Sequence, residues 1–238
     1  MRTEQVPLRH AQAGGRAAVA LREPNGQDEM AVEGVDTACA VALLGRLLDD
    51  ARHDPGQMAA ADRDALLAAL HRQCWGDRIV STLTCAACAN RFDLSFQLSE
   101  VQRHLGAAAA APTPFKVPRG ADEMAAAAHG PREGVLRLAE ACGACAEDIE
   151  RASDALAAAA PIIDLDLAAR CAECGQEQRA HFDLQSFVLQ RLLNERAALL
   201  AEIHQLAAAY GWSLSEILSL ARSTRRAMTE ILGKASRT

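Results

Sequence analysis

Four of the eight cysteines in this 238-residue chain fall into two matched pairs, Cys85-Ala86-Ala87-Cys88 and Cys171-Ala172-Glu173-Cys174. A C-x-x-C pair puts two thiols on one tight turn. Two such turns facing each other supply four sulfurs to one tetrahedral ion, the arrangement that structural zinc prefers. The pairs stand 86 residues apart, and their surroundings repeat with them: Phe96 and Leu98 align with Phe182 and Leu184. The spacing predicts one C-x-x-C hairpin used twice, its halves closing on a Zn2+ held by Cys85, Cys88, Cys171 and Cys174. A shell of four thiolates has no open position for a substrate, so the ion would stabilise the fold, by about 10 kcal/mol or more in small zinc domains, and do no chemistry. An iron–sulfur cluster or two unrelated pairs of inert thiols are the alternatives. A redox C-x-x-C should open a helix after a strand, whereas a strand pattern follows Cys88. Gly175 after the second pair has Ala89 as its counterpart. If that turn needs a positive φ, alanine costs ~1 kcal/mol there and the first turn is expected to be distorted.

Other candidates carry less. Cys142 and Cys145 also form a C-x-x-C, but their flanks are helical in pattern, and packing around a break at Gly143 is the preferred reading. Cys39 and Cys74 fall on apolar helix faces and read as core residues. The seven histidines show no paired-ligand spacing, and His181 reads as a surface strand residue. Asp164 and Asp166 share a strand face, where alternating acids are usually solvated. No nucleophile elbow, phosphate-binding loop or dinucleotide fingerprint occurs. The chain therefore reads as non-enzymatic, with no catalytic residue and no small-molecule substrate.

The elements that must position the cysteines follow from periodicity. Arg78 to Leu98 alternates Phe92, Leu94, Phe96 and Leu98 against Arg91, Asp93, Ser95 and Gln97, a strand pattern, and Ile163, Leu165 and Leu167 alternate likewise. Ahead of the first hairpin, "QVPLRH" and "RAAVALRE" flank Ala13-Gly14-Gly15 as a paired edge. Asp36 caps a helix with the stripe Ala40, Leu43, Leu44, Leu47 and Leu48, and a second helix runs through "ADRDALLAALHRQCW" to Gly76. Three prolines in "GAAAAAPTPFKVPRG" (106–120) mark a linker, whose Phe115 either docks on a neighbouring surface or stays on a tether. Helices are predicted at about 121–128, 133–143 and 147–159. One long amphipathic helix is expected from Leu184 to Tyr210, ended by Gly211. Ser213 and Glu216 then form a capping box, and "STRRAMTEIL" makes a last helix. The expected fold class is α+β and mostly helical, a split zinc-ribbon-like pair of C-x-x-C hairpins with flanking helices and an alanine-rich helical insertion. Its segments are 1–77, 78–105 (first knuckle), 106–160 (linker and insertion), 161–184 (second knuckle) and 185–238 (C-terminal helices).

Composition bounds the partners. Half the chain is apolar, yet aromatics are only 3% and alanine is about a fifth, which favours helix over strand. The net charge of −6 divides unevenly: residues 1–184 carry 18 basic against 27 acidic side chains, and residues 185–238 carry 7 against 4. That balance lacks the broad basic surface that sequence-independent nucleic-acid binding requires. The tail residues Arg222, Arg225, Arg226, Lys234 and Arg237 are expected on a solvated helix face. No apolar run approaches the roughly 18 residues that span a bilayer, and the N-terminus lacks a signal-like apolar stretch. The expectation is a soluble chain, cytoplasmic when made, in which reducing conditions favour metal or plain thiols over disulfides.

Four segments carry a family likeness: "LREPNGQDE" (21–29), "DRDALLAALHRQCWGDRIVSTLTCAAC" (62–88), "CAECGQEQRAHFDLQSFVLQRLL" (171–193) and "EIHQLAAAYGWSLSEILSLARSTRRAMTEIL" (202–232). In this order they resemble the T-even-type phage baseplate family, found with contractile phage tails and contractile injection systems. "AAAYGWSLSEIL" is the most specific part, and the 106–160 insertion is the least matched. The resemblance implies a role in the baseplate hub, either as a structural component incorporated into the particle or as an assembly factor, with hub, spike or tube proteins as partners. The C-terminal helices and the 106–120 segment are the expected contacts. The alternative from the residues alone is a zinc-ribbon nucleic-acid adaptor or regulator that uses the basic tail.

Overall fold

The structure, a computed structural model, describes residues 3–10, 17–49, 53–108 and 112–235. It is a mixed α+β fold in which helices dominate and the described strands form three separate antiparallel pairs. β1 (Thr3–Pro7) pairs with β2 (Ala18–Arg22), Thr3 opposite Arg22. The turn expected at Ala13-Gly14-Gly15 lies outside the described residues. A short α1 (Gly26–Met30) is capped by Asn25, and α2 (Thr37–Leu47) begins where the Cys39 amide donates to Asp36 Oδ1 at 2.8 Å. The buried stripe of α2 is Ala40, Leu43, Leu44 and Leu47; Leu48, expected to extend it, is instead the half-buried, extended C-cap.

α3 (Ala60–Trp75) runs through the main core and is buried almost all round, polar residues included. The acids and Arg63 find partners, while His71 Nδ1 and Arg63 Nε are buried without a hydrogen bond. Asp62 accepts from the Arg9 and His10 amides at 2.7 and 3.0 Å. Arg63 pairs with Glu123 at 2.8 Å, and Asp64 accepts from the Ile163 amide at 2.6 Å. α3 thereby ties the N-terminal strands, the insertion and the second hairpin to one axis.

The internal repeat is wider than the cysteines. β3 (Arg78–Thr84), β4 (Arg91–Gln97) and α4 (Leu98–Ala108) recur 86 residues later as β5 (Asp164–Arg170), β6 (Glu177–Asp183) and α8 (Leu184–Asn194). Each helix leaves its strand in the same way. The Leu98 amide donates to Asp77 O and the Leu184 amide to Ile163 O, both at 2.9 Å, with both leucines fully buried. Between the halves lie α5 (Gly120–Ala127), α6 (Pro131–Ala141) and α7 (Ile149–Ala159). Phe115 is docked, not tethered. It is buried beside Ala144 and Ala152, with the Arg151 guanidinium 5.4 Å over its ring.

The long helix expected over 184–210 is two helices. α8 stops at Asn194, and α9 (Arg196–Tyr210) restarts after Glu195. Glu195 is drawn out of the helix pattern by its partners: Trp75 Nε1 donates to it at 2.8 Å, and Arg222 and Arg226 pair with it. Gly211, with φ 67°, ends α9, and Ser213 and Glu216 form the expected capping box for α10 (Leu214–Ser219). The last helix is α11 (Arg222–Ala235). Its three arginines are not on a solvated face. Arg222 and Arg225 are buried and bind Glu29, Arg225 also reaches Glu202 at 2.7 Å, and Arg226 binds Glu195 at 2.8 Å. Burial disfavours the Glu195 carboxylate, but the Arg222 guanidinium outweighs it and holds its pKa below the ordinary range. Lys234 is exposed, and Arg237 lies outside the described residues. No helix among the described residues is long and apolar enough to cross a membrane.

Candidate metal centre

Each knuckle is built by its own backbone. In the first, the Cys85 amide donates to Asn90 O and the Ala89 amide to Cys85 O, both at 2.9 Å. In the second, the Cys171 amide donates to Gln176 O at 2.9 Å and the Gly175 amide to Cys171 O at 3.0 Å. The residue after the second cysteine takes a positive φ in both, 74° at Gly175 and 58° at Ala89. Ala89 is the one non-glycine with positive φ among the described residues. The distortion expected of the first turn is therefore absent: it keeps the same hydrogen bonds and carries alanine's strain instead.

The hairpins meet face to face. Phe96 and Phe182, equivalent in the repeat, pack edge to face with centroids 5.1 Å apart. Above them Phe92, Ala169 and Ala180, with Leu83 and Leu94 at the margin, form an apolar bed beneath the sulfurs. At the tips, all four sulfurs of Cys85, Cys88, Cys171 and Cys174 lie within 4.8 Å of one another. The close pairs cross between hairpins, Cys85 to Cys174 at 3.6 Å and Cys88 to Cys171 at 3.8 Å. Tetrahedral coordination at a Zn–S bond of ~2.3 Å sets neighbouring sulfurs about 3.8 Å apart. A disulfide would require ~2.0 Å. The donor set and its spacing thus fit a single ion with four sulfur ligands.

Charge points the same way. The amides of Cys88 and Ala87 point at Cys85 Sγ and pull its pKa down to about 6. The Asn90 amide favours the Cys88 thiolate too, but burial and the sulfurs of Cys174, Cys85 and Cys171 push that thiol up instead. Several thiolates in this space repel one another, and a bound cation removes the penalty. Cys85 and Cys171 are buried, Cys88 is half-buried and Cys174 is exposed, so the centre sits under one solvent-facing edge.

Gln178 is a supporting residue that the spacing does not reveal. Its side chain accepts from the Ala86 amide at 3.1 Å and donates to Thr84 O at 3.3 Å, clamping the first knuckle from the second hairpin. Its repeat equivalent is Phe92, so the repeat carries no signal for it. Cys142 and Cys145 stand apart from the cluster: Cys142 is buried against the insertion, and Cys145 is exposed beside Asp148. Cys39 and Cys74 pack at the edge of the main core. His181 lies between Asp164 and Asp166 at 3.3 and 3.5 Å on the hairpin surface. Comparison of the chain with protein-family models, curated proteins and solved structures gives no match.

Proposed function

We propose that this chain is a non-enzymatic structural or assembly protein of the baseplate hub of a contractile tail or contractile injection system. Within it, a split zinc-ribbon-like clasp holds structural Zn2+ through Cys85, Cys88, Cys171 and Cys174. The zinc reading is carried by the crossed sulfur pairs, which draw all four ligands from two distant halves of the chain. Such an ion is closed to substrate and serves to fasten residues 78–97 to 164–183.

The assembly reading rests on the four baseplate-like segments, and the surface position of the most specific one supports it. Around Gly211, Tyr210 and Trp212 stack at 5.0 Å, while Tyr210 and Leu214 are 42% and 58% exposed. An exposed aromatic and leucine beside a rigid capping box suit contact with a protein partner better than they suit solvent. The nucleic-acid alternative draws little from the C-terminal helix, because Arg222, Arg225 and Arg226 are engaged by Glu29, Glu195 and Glu202. The test is to isolate contractile particles and their subassemblies from cells that make this chain and to probe for it by mass spectrometry. Detection in either is expected. Consistent absence from both overturns the proposal.

A further inference from the structure

The two halves of the repeat differ most where a helix meets a helix. The 86-residue offset relates α3 to the segment ending in α7, and α8 to α4. In the α3–α8 pairing the space is filled. His71 stands 5.2 Å from the Trp75 ring and 5.8 Å from Phe187, and the Arg191 guanidinium lies 4.6 Å over Trp75. In the α7–α4 pairing it is open. Where the first half has Leu67, His71 and Trp75, the second has Ser153, Ala157 and Pro161, and all three line a groove of about 550 Å³. Leu105 of α4 and Leu156 of α7 both line it. At its rim Val135 and Ile162 are 52% and 40% exposed, so apolar surface is left uncovered.

We propose that this groove binds a basic amphipathic helix of a partner protein, whose bulky apolar side chains fill the space that Leu67, His71 and Trp75 fill in the first half. The shape fits a helix. The groove follows α7 for its eleven residues, a length of about 16 Å or three helical turns. Small side chains along it allow close approach. The charge selects the partner's sign. Residues 120–166, which build α5 to α7 and the start of β5, hold ten Asp and Glu against three Arg, a net charge of −7. Two of those acids border the groove itself, Asp164 at its rim and Glu123, which is already paired with Arg63. A helix with lysines flanking a leucine stripe meets both conditions, whereas an acidic helix is repelled. The inference rests on the groove alone, independent of the metal centre and of the baseplate reading.

The test uses the full metal-loaded chain and a labelled 16-residue synthetic helix with leucines at i, i+4, i+7 and i+11 and lysines elsewhere on its surface. Fluorescence anisotropy is expected to show saturable binding, and exchanging the lysines for glutamates should abolish it. Ala157→Trp fills the groove from within, and Val135→Asp puts a carboxylate on its apolar wall. Both positions are exposed, and each substitution should weaken binding by about tenfold or more with the melting temperature held. Equal binding of a sequence-scrambled lysine peptide, or unchanged binding by both variants, overturns the proposal. So does uptake of only a small apolar dye such as anilinonaphthalene sulfonate, which would make the groove a small-molecule site.

Discussion

The two knuckles share every backbone hydrogen bond named above but differ in the residue that turns the chain: Gly175 in one, Ala89 in the other. Gly175 meets the turn's positive φ without steric cost, while Ala89 takes the same conformation against its preference. The difference shows what dictates the turn. The need to bring two sulfurs and their pointing amides together overrides the intrinsic preference of the residue that follows, so strain is tolerated where the ligand set holds the loop.

The largest test of that symmetry removes a ligand from either half. Cys85→Ser and Cys171→Ser should each lose the bound metal and lower stability by a similar amount, on the order of 10 kcal/mol if zinc is held as in small zinc domains. Metal analysis alongside thermal melts checks this. A full equivalent of zinc retained by Cys171→Ser would assign Cys85 and Cys88 another partner pair, with Cys142 and Cys145 the first to examine.

A smaller effect separates the helices that precede the knuckles. α3 carries Asp64 and His71, where the second half has Glu150 and Ala157, both exposed. Burial raises Asp64 to about 7 from 3.8, so its contribution is most favourable below pH 4 and is lost as pH rises to 7. Burial, with Arg191 beside it, lowers His71 to about 4 from 6.5, so its contribution is complete above pH 6.5 and is lost as pH falls towards 4. The two slopes oppose each other. Relative to the native chain, Asp64→Asn should gain stability progressively from pH 4 to 7, by at most about 4 kcal/mol. His71→Phe should gain in the opposite direction, from pH 6.5 down to 4. Urea unfolding of each variant and the native chain at matched pH isolates the group, and a pH-independent difference would dismiss it.

The smallest effect returns to the turn itself. Ala89→Gly should stabilise by about 1 kcal/mol, and Gly175→Ala should destabilise by about 1–2 kcal/mol. A Cβ at Gly175 would come no closer than 3.6 Å to Arg170 Nη2, so backbone strain and not crowding sets the second value. Urea midpoints moving in the same direction for both would refute a common turn.

The metal-ligand candidates were legible because they repeat. Four cysteines, two phenylalanines and two leucines at one offset constrain each other in a way that composition does not. The strands were legible because alternation is local. Glu195 was not, because its helix break is set by Trp75, Arg222 and Arg226, contacts that no window of periodicity contains. The burial of Arg222 and Arg225 is hidden from the sequence for a related reason: an arginine stripe on an amphipathic helix looks the same whether it faces water or buried carboxylates. α3 weakened its own pattern by burying Asp62, Arg63, Asp64 and His71 among its leucines. Gln178 had no counterpart to betray it.

The pairing of Glu29 with Arg222 and Arg225 has a consequence for how the chain is made. The partners are 193 and 196 residues apart. A ribosome therefore releases Glu29 long before either arginine exists, and a carboxylate buried without its cations is strongly disfavoured. Until α11 emerges, α1 is held at Asp28, by Arg22 and Arg46, and Glu29 stays without its cations. The seat of α1 is therefore completed only after the long stretch between Glu29 and its two arginines has been made.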